Sequence, residues 1–188
     1  MNMDRLVIKQ VLGNEQVTWY YVVSLIGKTL VLLIAPINTI VISYLTKRKE
    51  LLTRSQFGKA VLAGGGVSLV FFLACQVGTP LFVWLFYRNL YDSVKGLVTV
   101  VNLAQILGLF SAFLFILVLT FTDEKWQLWI QLAHFAVLLV TSVLAARAYG
   151  MIGFAWASLG ANSLRVAAVI ILGLVKAGKD KGGSNADR

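Results

Sequence analysis

Acidic side chains are scarce, with 8 Asp and Glu in 188 residues against 17 Lys and Arg. Charged residues make up only 13% of the chain, about half the share of an ordinary soluble domain. With 59% hydrophobic residues beside them, too few polar side chains remain to cover a water-facing globule, which excludes a soluble domain. A single cysteine, Cys75, allows neither a disulfide framework nor a Cys-ligated zinc site within the chain. No Ser/His/Asp arrangement and no metal-ligating cluster occurs, so no catalytic residue, metal or cofactor is assigned, and the sequence does not read as an enzyme. In a soluble chain a net charge of +9 would raise nucleic acid as a partner; here the excess belongs to membrane topology, and no nucleic acid is expected.

What is present is apolar residues in long blocks. A membrane span needs roughly 20 of them, since a rise of about 1.5 Å per residue must cover about 30 Å of hydrocarbon. Five blocks qualify: Trp19–Tyr44, Ala60–Phe86, Val94–Phe121, Trp126–Tyr149 and Ile152–Val175. Each far exceeds the roughly 10 alternating residues of a barrel strand. The expectation is an all-α membrane protein of five transmembrane helices filling 1–176, with a disordered cytoplasmic tail over 177–188. Met1–Lys9 lacks the form of a signal peptide, so the first block is expected to be a mature span.

Lys and Arg in alternate loops set the orientation. Lys47, Arg48, Lys49, Arg54, Lys59, Lys125, Lys176, Lys179, Lys181 and Arg188 fall on one side, and Arg5, Lys9, Arg88, Lys95 and Arg147 on the other. The N-terminus is therefore expected outside and the C-terminus inside. Trp19, Tyr44, Trp84, Trp126 and Tyr149 mark several expected interfaces.

Two cations remain inside blocks, Lys28 and Arg165. Such a residue at the bilayer centre costs about 2.5–3.5 kcal/mol on insertion scales and normally faces a bundle interior or watery cavity; the plain alternative is snorkelling. Gly153, Ala157 and Ala161 recur at spacing four toward Arg165, with Ser158 and Asn162 alongside, a helix-packing stripe. Lys28 shares a small, polar face with Ser24, Ala35 and Asn38, on a helix that Pro36 is expected to kink. All eight carboxylates fall in loops or tails by this assignment. Buried cations without a buried acid favour an anionic solute. His134, Asn102 and Gln105 either line a cavity or bridge helices. Gly27-Lys28-Thr29 fails as a phosphate loop because Val22 stands where a glycine is required. Gly64-Gly65-Gly66 reads as close helix packing or a flexible break.

Three stretches carry a family resemblance: Met3-Asp4-Arg5-Leu6 with Leu12-Gly13 and Tyr20-Tyr21; Ala35-Pro36-Ile37-Asn38 followed by Ser43-Tyr44-Leu45; and Tyr149-Gly150-Met151-Ile152-Gly153-Phe154-Ala155-Trp156-Ala157 with Ala161-Asn162 and Arg165. The order resembles the C-terminal lobe of a polysaccharide flippase of the Wzx type, in the superfamily of MATE exporters and lipid II flippases. The resemblance implies that the five spans correspond to helices eight to twelve of a twelve-helix, two-lobed transporter in the bacterial inner membrane. It implies translocation of a polyprenyl-pyrophosphate-linked oligosaccharide by alternating access, as in O-antigen export. Lys28 and Arg165 would meet pyrophosphate or acidic sugars, with Asn38, Asn162, His134, Asn102 and Gln105 lining the cavity. The partners implied are the lipid bilayer, the lipid-linked oligosaccharide, and a missing N-terminal lobe or partner subunit. A sister transporter of the same superfamily, and a five-span scaffold or assembly subunit without transport, are the alternatives.

Overall fold

The computed structural model describes residues 3–46, 53–119 and 122–177, all organised by helices and without a strand among them. The elements are α1 (Met3–Leu12), α2 (Asn14–Thr46), α3 (Arg54–Phe86), the single turn α4 (Tyr91–Val94), α5 (Val98–Leu119) and α6 (Glu124–Lys176). Short 3-10 turns at Arg88–Leu90 and Lys95–Leu97 flank α4. Lys47, Arg48, Lys49 and the expected tail beyond Ala177 lie outside the described residues.

Three helices, Arg54–Phe86, Arg88–Leu119 and Lys125–Lys176, are long and apolar enough to cross a membrane. Leucines and valines such as Leu62, Val67, Val70, Leu73 and Val77 on α3 and Leu128, Leu132 and Leu144 on α6 are exposed. A water-soluble fold would bury such a surface, whereas hydrocarbon covers it at no cost. The chain is a multi-pass, membrane-embedded helical protein; the described residues of the five apolar blocks lie on helix, and three helices, against the five spans expected, meet the length and apolarity of a crossing. The backbone of α2 stays helical through Pro36. A capping box starts α3: the Thr53 hydroxyl accepts from the Gln56 N–H at 3.4 Å, and the Gln56 side chain accepts from the Thr53 N–H at 3.1 Å.

Helix α5 is the axis of the bundle and touches α2, α3 and α6. Half of its most apolar stretch is buried, against 6% in α3 and in α6. Its buried residues fall on every side, from Val98, Val101 and Ala104 to Leu114 and Phe115, so it has no polar face to turn outward. At one end Val94, Leu97, Val98 and Val101 join Tyr20, Val23, Met151 and Phe154; at the other, Leu114, Phe115 and Val118 join Phe57 and Val169.

A straight helix of 53 residues would measure about 80 Å, more than twice the hydrocarbon thickness. The chain reverses instead at Gly150, whose φ of 64° and ψ of −147° lie in a region essentially reserved for glycine. Two arms result, 124–149 and 151–176, and their far ends meet: Lys176 Nζ stands 5.7 Å from the centroid of the Trp126 ring. Just past the reversal no Cβ fits at Gly153, which lies against the Ala145 carbonyl of the other arm. The expected boundary between the fourth and fifth blocks is this turn.

One feature differs from the sequence expectation, and one of two open readings is chosen. Residues before the first block are not a simple loop: α1 forms there, folded against α2 and α6 and anchored by the buried Ile8. Gly13, at φ 97°, supplies the left-handed residue that ends α1, its N–H donating to the Ile8 carbonyl at 3.2 Å. The glycine run 64–66 does not break α3, and at Gly64 a Cβ would collide with the Phe113 ring, so close packing is its role.

Replacing Gly150 with Ala forces a β-carbon into this glycine-only conformation. The variant should lose about 1–3 kcal/mol of stability, read as a lowered melting temperature in detergent, while Gly160→Ala, on an exposed helical site with open space, should not.

Candidate functional site

Lys28 and Arg165, the two cations within apolar blocks, are placed beside different clusters of the core. Lys28 on α2 directs its side chain back toward the start of its helix, as helical side chains do. Its ammonium donates to Asp4 Oδ2 on α1 at 2.7 Å and lies 5.3 Å from the centroid of the Tyr20 ring. The Lys28 and Asp4 side chains are only 29% and 20% exposed. Tyr20 is buried and meets Phe154 of the second α6 arm edge to face, with centroids 5.4 Å apart. Beside the pair, the Arg5 guanidinium stands 4.4 Å from the centroid of the Tyr21 ring. Lys28 is thus neutralised from within the chain, by a carboxylate that sequence reading placed in a loop.

Arg165 lies beside the second cluster of the core. Its guanidinium carbon is 4.9 Å from the Phe115 ring centroid, a cation–π contact between the second arm of α6 and α5. Its Nε is buried without a hydrogen-bond partner. His134 on the first arm faces the backbone of Ala161 and feels the charge of Arg165, and its Nδ1 is likewise buried and unpartnered. Counting from the ends that Trp126 and Lys176 hold together, His134 sits about 12 Å and Arg165 about 17 Å along their arms, near half the hydrocarbon thickness. The ion pairs among the described residues are Lys28–Asp4 and Lys95–Asp92, and neither includes Arg165. Arg165 and His134, remote in sequence, therefore form one polar site across the α6 hairpin.

Asn102 and Asn162 bridge helices. Asn102 is fully buried: its amide donates to the Cys75 carbonyl at 3.1 Å and to Gln76 Oε1 at 3.2 Å, and its oxygen accepts from the Thr79 hydroxyl at 3.3 Å. A fourth bond, Gln76 Nε2 to the Thr99 hydroxyl at 2.9 Å, completes this clasp between α3 and α5. Asn162 Nδ2 donates to the Ala104 carbonyl at 3.0 Å, tying the second α6 arm to α5. Gln105 presses against Gly27 of α2, with its Nε2 buried and unpartnered. The Asn38 side chain lies outside the described residues.

Among the described residues no group of three or more His, Cys, Asp or Glu could hold a metal ion. An apolar groove of about 300 Å³ runs between α2, α3 and α5, lined by residues including Ile34, Val67, Phe71, Leu109 and Phe113. Its walls suit a hydrocarbon chain and offer a sugar almost nothing to bond. Sequence reasoning missed Asp4 and Tyr20. The available signals were the apolar spacing of Leu6, Val7, Val11 and Leu12, with Asp4 in the first turn, Lys9 in the last and Gly13 beyond it.

If Asn102 is a clasp, Asn102→Ala should cost about 1–2 kcal/mol of bilayer stability, near the upper end for interhelical hydrogen bonds, and Asn162→Ala about 0.6 kcal/mol. Unfolding in mixed micelles measures both; a pure cavity role would leave stability unchanged. In the comparisons with known proteins, no family, no curated protein and no solved structure matches this chain.

Proposed function

We propose that the chain is one lobe of an exporter carrying an anionic, polyprenyl-pyrophosphate-linked oligosaccharide across a bacterial inner membrane. Alternating access would run between this lobe and an N-terminal lobe or partner subunit, as in polysaccharide flippases of the Wzx type. The observation that carries the reading is Arg165, a cation at mid-depth with a buried, unpartnered Nε, facing His134 and paired with no carboxylate among the described residues. A guanidinium held this way offers a phosphate or carboxylate two parallel donors, and low dielectric strengthens the attraction. The Met3–Leu6, Ala35–Asn38 and Tyr149–Ala157 stretches, in that order, support the choice of this transporter class over an unrelated anion carrier. The second reading, a scaffold subunit without transport, draws support from Asn102 and Asn162, whose bonds are spent on holding this chain's own helices together.

Arg165→Ala in the intact transporter should lower export by about 10- to 100-fold, because hydrogen bonds to charged groups are worth about 1.5–3 kcal/mol. Surface polysaccharide measured beside membrane insertion checks this. Normal insertion with polysaccharide lost is the expected result, and Arg165→Lys should restore part of it; unchanged polysaccharide in the alanine variant sinks the reading.

A further inference from the structure

The Lys28–Asp4 pair is incomplete for a purely structural ion pair. An ammonium has three donors, and Lys28 uses one of them among the described residues, on Asp4 Oδ2. The other carboxylate oxygen, Asp4 Oδ1, is buried without a partner at bonding distance, although the Tyr20 hydroxyl faces the same carboxylate. Ion pairs removed from water are stable when their remaining lone pairs and protons are satisfied, and here both partners keep unmet capacity. A phosphate-type anion, with three or more oxygens, would answer the ammonium better than this one carboxylate oxygen does.

The segment that brings Asp4 in is suited to leave. Helix α1 has ten residues, too short to persist alone in water, and is held through Ile8 and the partly buried Val7, Val11 and Leu12. It joins α2 through Gly13 alone, in a left-handed conformation with nothing within 4 Å of where a Cβ would stand. Lys28 and Tyr20 both belong to α2 and would stay behind if α1 swung away on this glycine, leaving the ammonium over a tyrosine ring beside the space vacated.

We infer that Lys28 is a binding site for a phosphate-type anion and that Asp4 is its tethered competitor, α1 acting as a latch that the anion displaces about the Gly13 hinge. The inference rests on the anion-exporter reading for the source of the anion in the cell, whereas the site itself is defined by Lys28, Asp4 and Tyr20. If the latch is closed nine times in ten, removing the competitor raises apparent affinity about tenfold.

The full chain in nanodiscs of neutral phosphatidylcholine, titrated with inorganic pyrophosphate, tests this. Hydrogen exchange at the α1 amides reports the latch, and calorimetry reports affinity. Pyrophosphate should speed α1 exchange in the wild type, Asp4→Asn should bind it about tenfold more tightly, and Lys28→Gln should abolish both effects. Asp4→Glu, which keeps the competing charge, should behave as wild type, separating lost competition from a damaged fold. Faster α1 exchange in phosphatidylglycerol discs without pyrophosphate would support the site with a lipid headgroup as the anion. No change in α1 exchange with either anion, or equal affinity in Asp4→Asn and wild type, overturns the latch. Failure here with polysaccharide still lost in Arg165→Ala would leave the exporter reading intact, while a working latch with no polysaccharide defect in that variant would sink the exporter and keep the site.

Discussion

Apolar helices gain little by leaving lipid for one another, because acyl chains are as hydrophobic as leucine, and this constraint sets how the bundle is held. What remains is close approach and polar bonding. Both converge on α5: Gly64 lets α3 lie against Phe113, Asn162 of α6 donates to the Ala104 carbonyl, and Asn102 hydrogen-bonds across to α3. Elsewhere Gly173 of α6 leaves no space for a side chain between its backbone and Phe57 of α3. The most buried helix is thus the one whose neighbours carry small residues and whose Asn102 finds partners across the interface.

The same constraint explains the separation of the two cations. Lys28, near the middle of α2, has a carboxylate and a tyrosine ring within reach, so a partner from within the chain stands against its charge. Arg165 has an aromatic face and a histidine but no acid among the described residues, so its charge is left for something else to answer. A common cavity holding both does not follow from their placement, since one belongs with the Tyr20–Phe154 cluster and the other with the Phe115 end of α5.

The sequence made the helices legible because block length and apolarity are one-dimensional properties, and Gly150 with its flanking aromatic marked the reversal. It also exposed Lys28 and Arg165, since a lone cation in an apolar run is conspicuous without a structure. Pairing was not legible. Asp4 and Lys28 are 24 residues apart with a glycine reversal between them, and α1 is too short to register as a span. His134 and Arg165 come to like depth because both arms of α6 have equal length about Gly150, which fixes depth on one arm against depth on the other. Asn102 could have lined a cavity or joined helices on sequence alone; its partner carbonyl at Cys75 and the Thr79 hydroxyl decided between them.

The α1–α2 reversal also imposes an order on synthesis. Asp4 leaves the ribosome before Lys28 exists, and its ion-pair partner is absent from the membrane until the residue 24 positions later has been inserted. Helix α1 must therefore wait at the water interface while α2 enters, and fold down onto it afterwards. Although α1 is made before α2, it reaches its place after it, and its docking is a late, separable event in assembly.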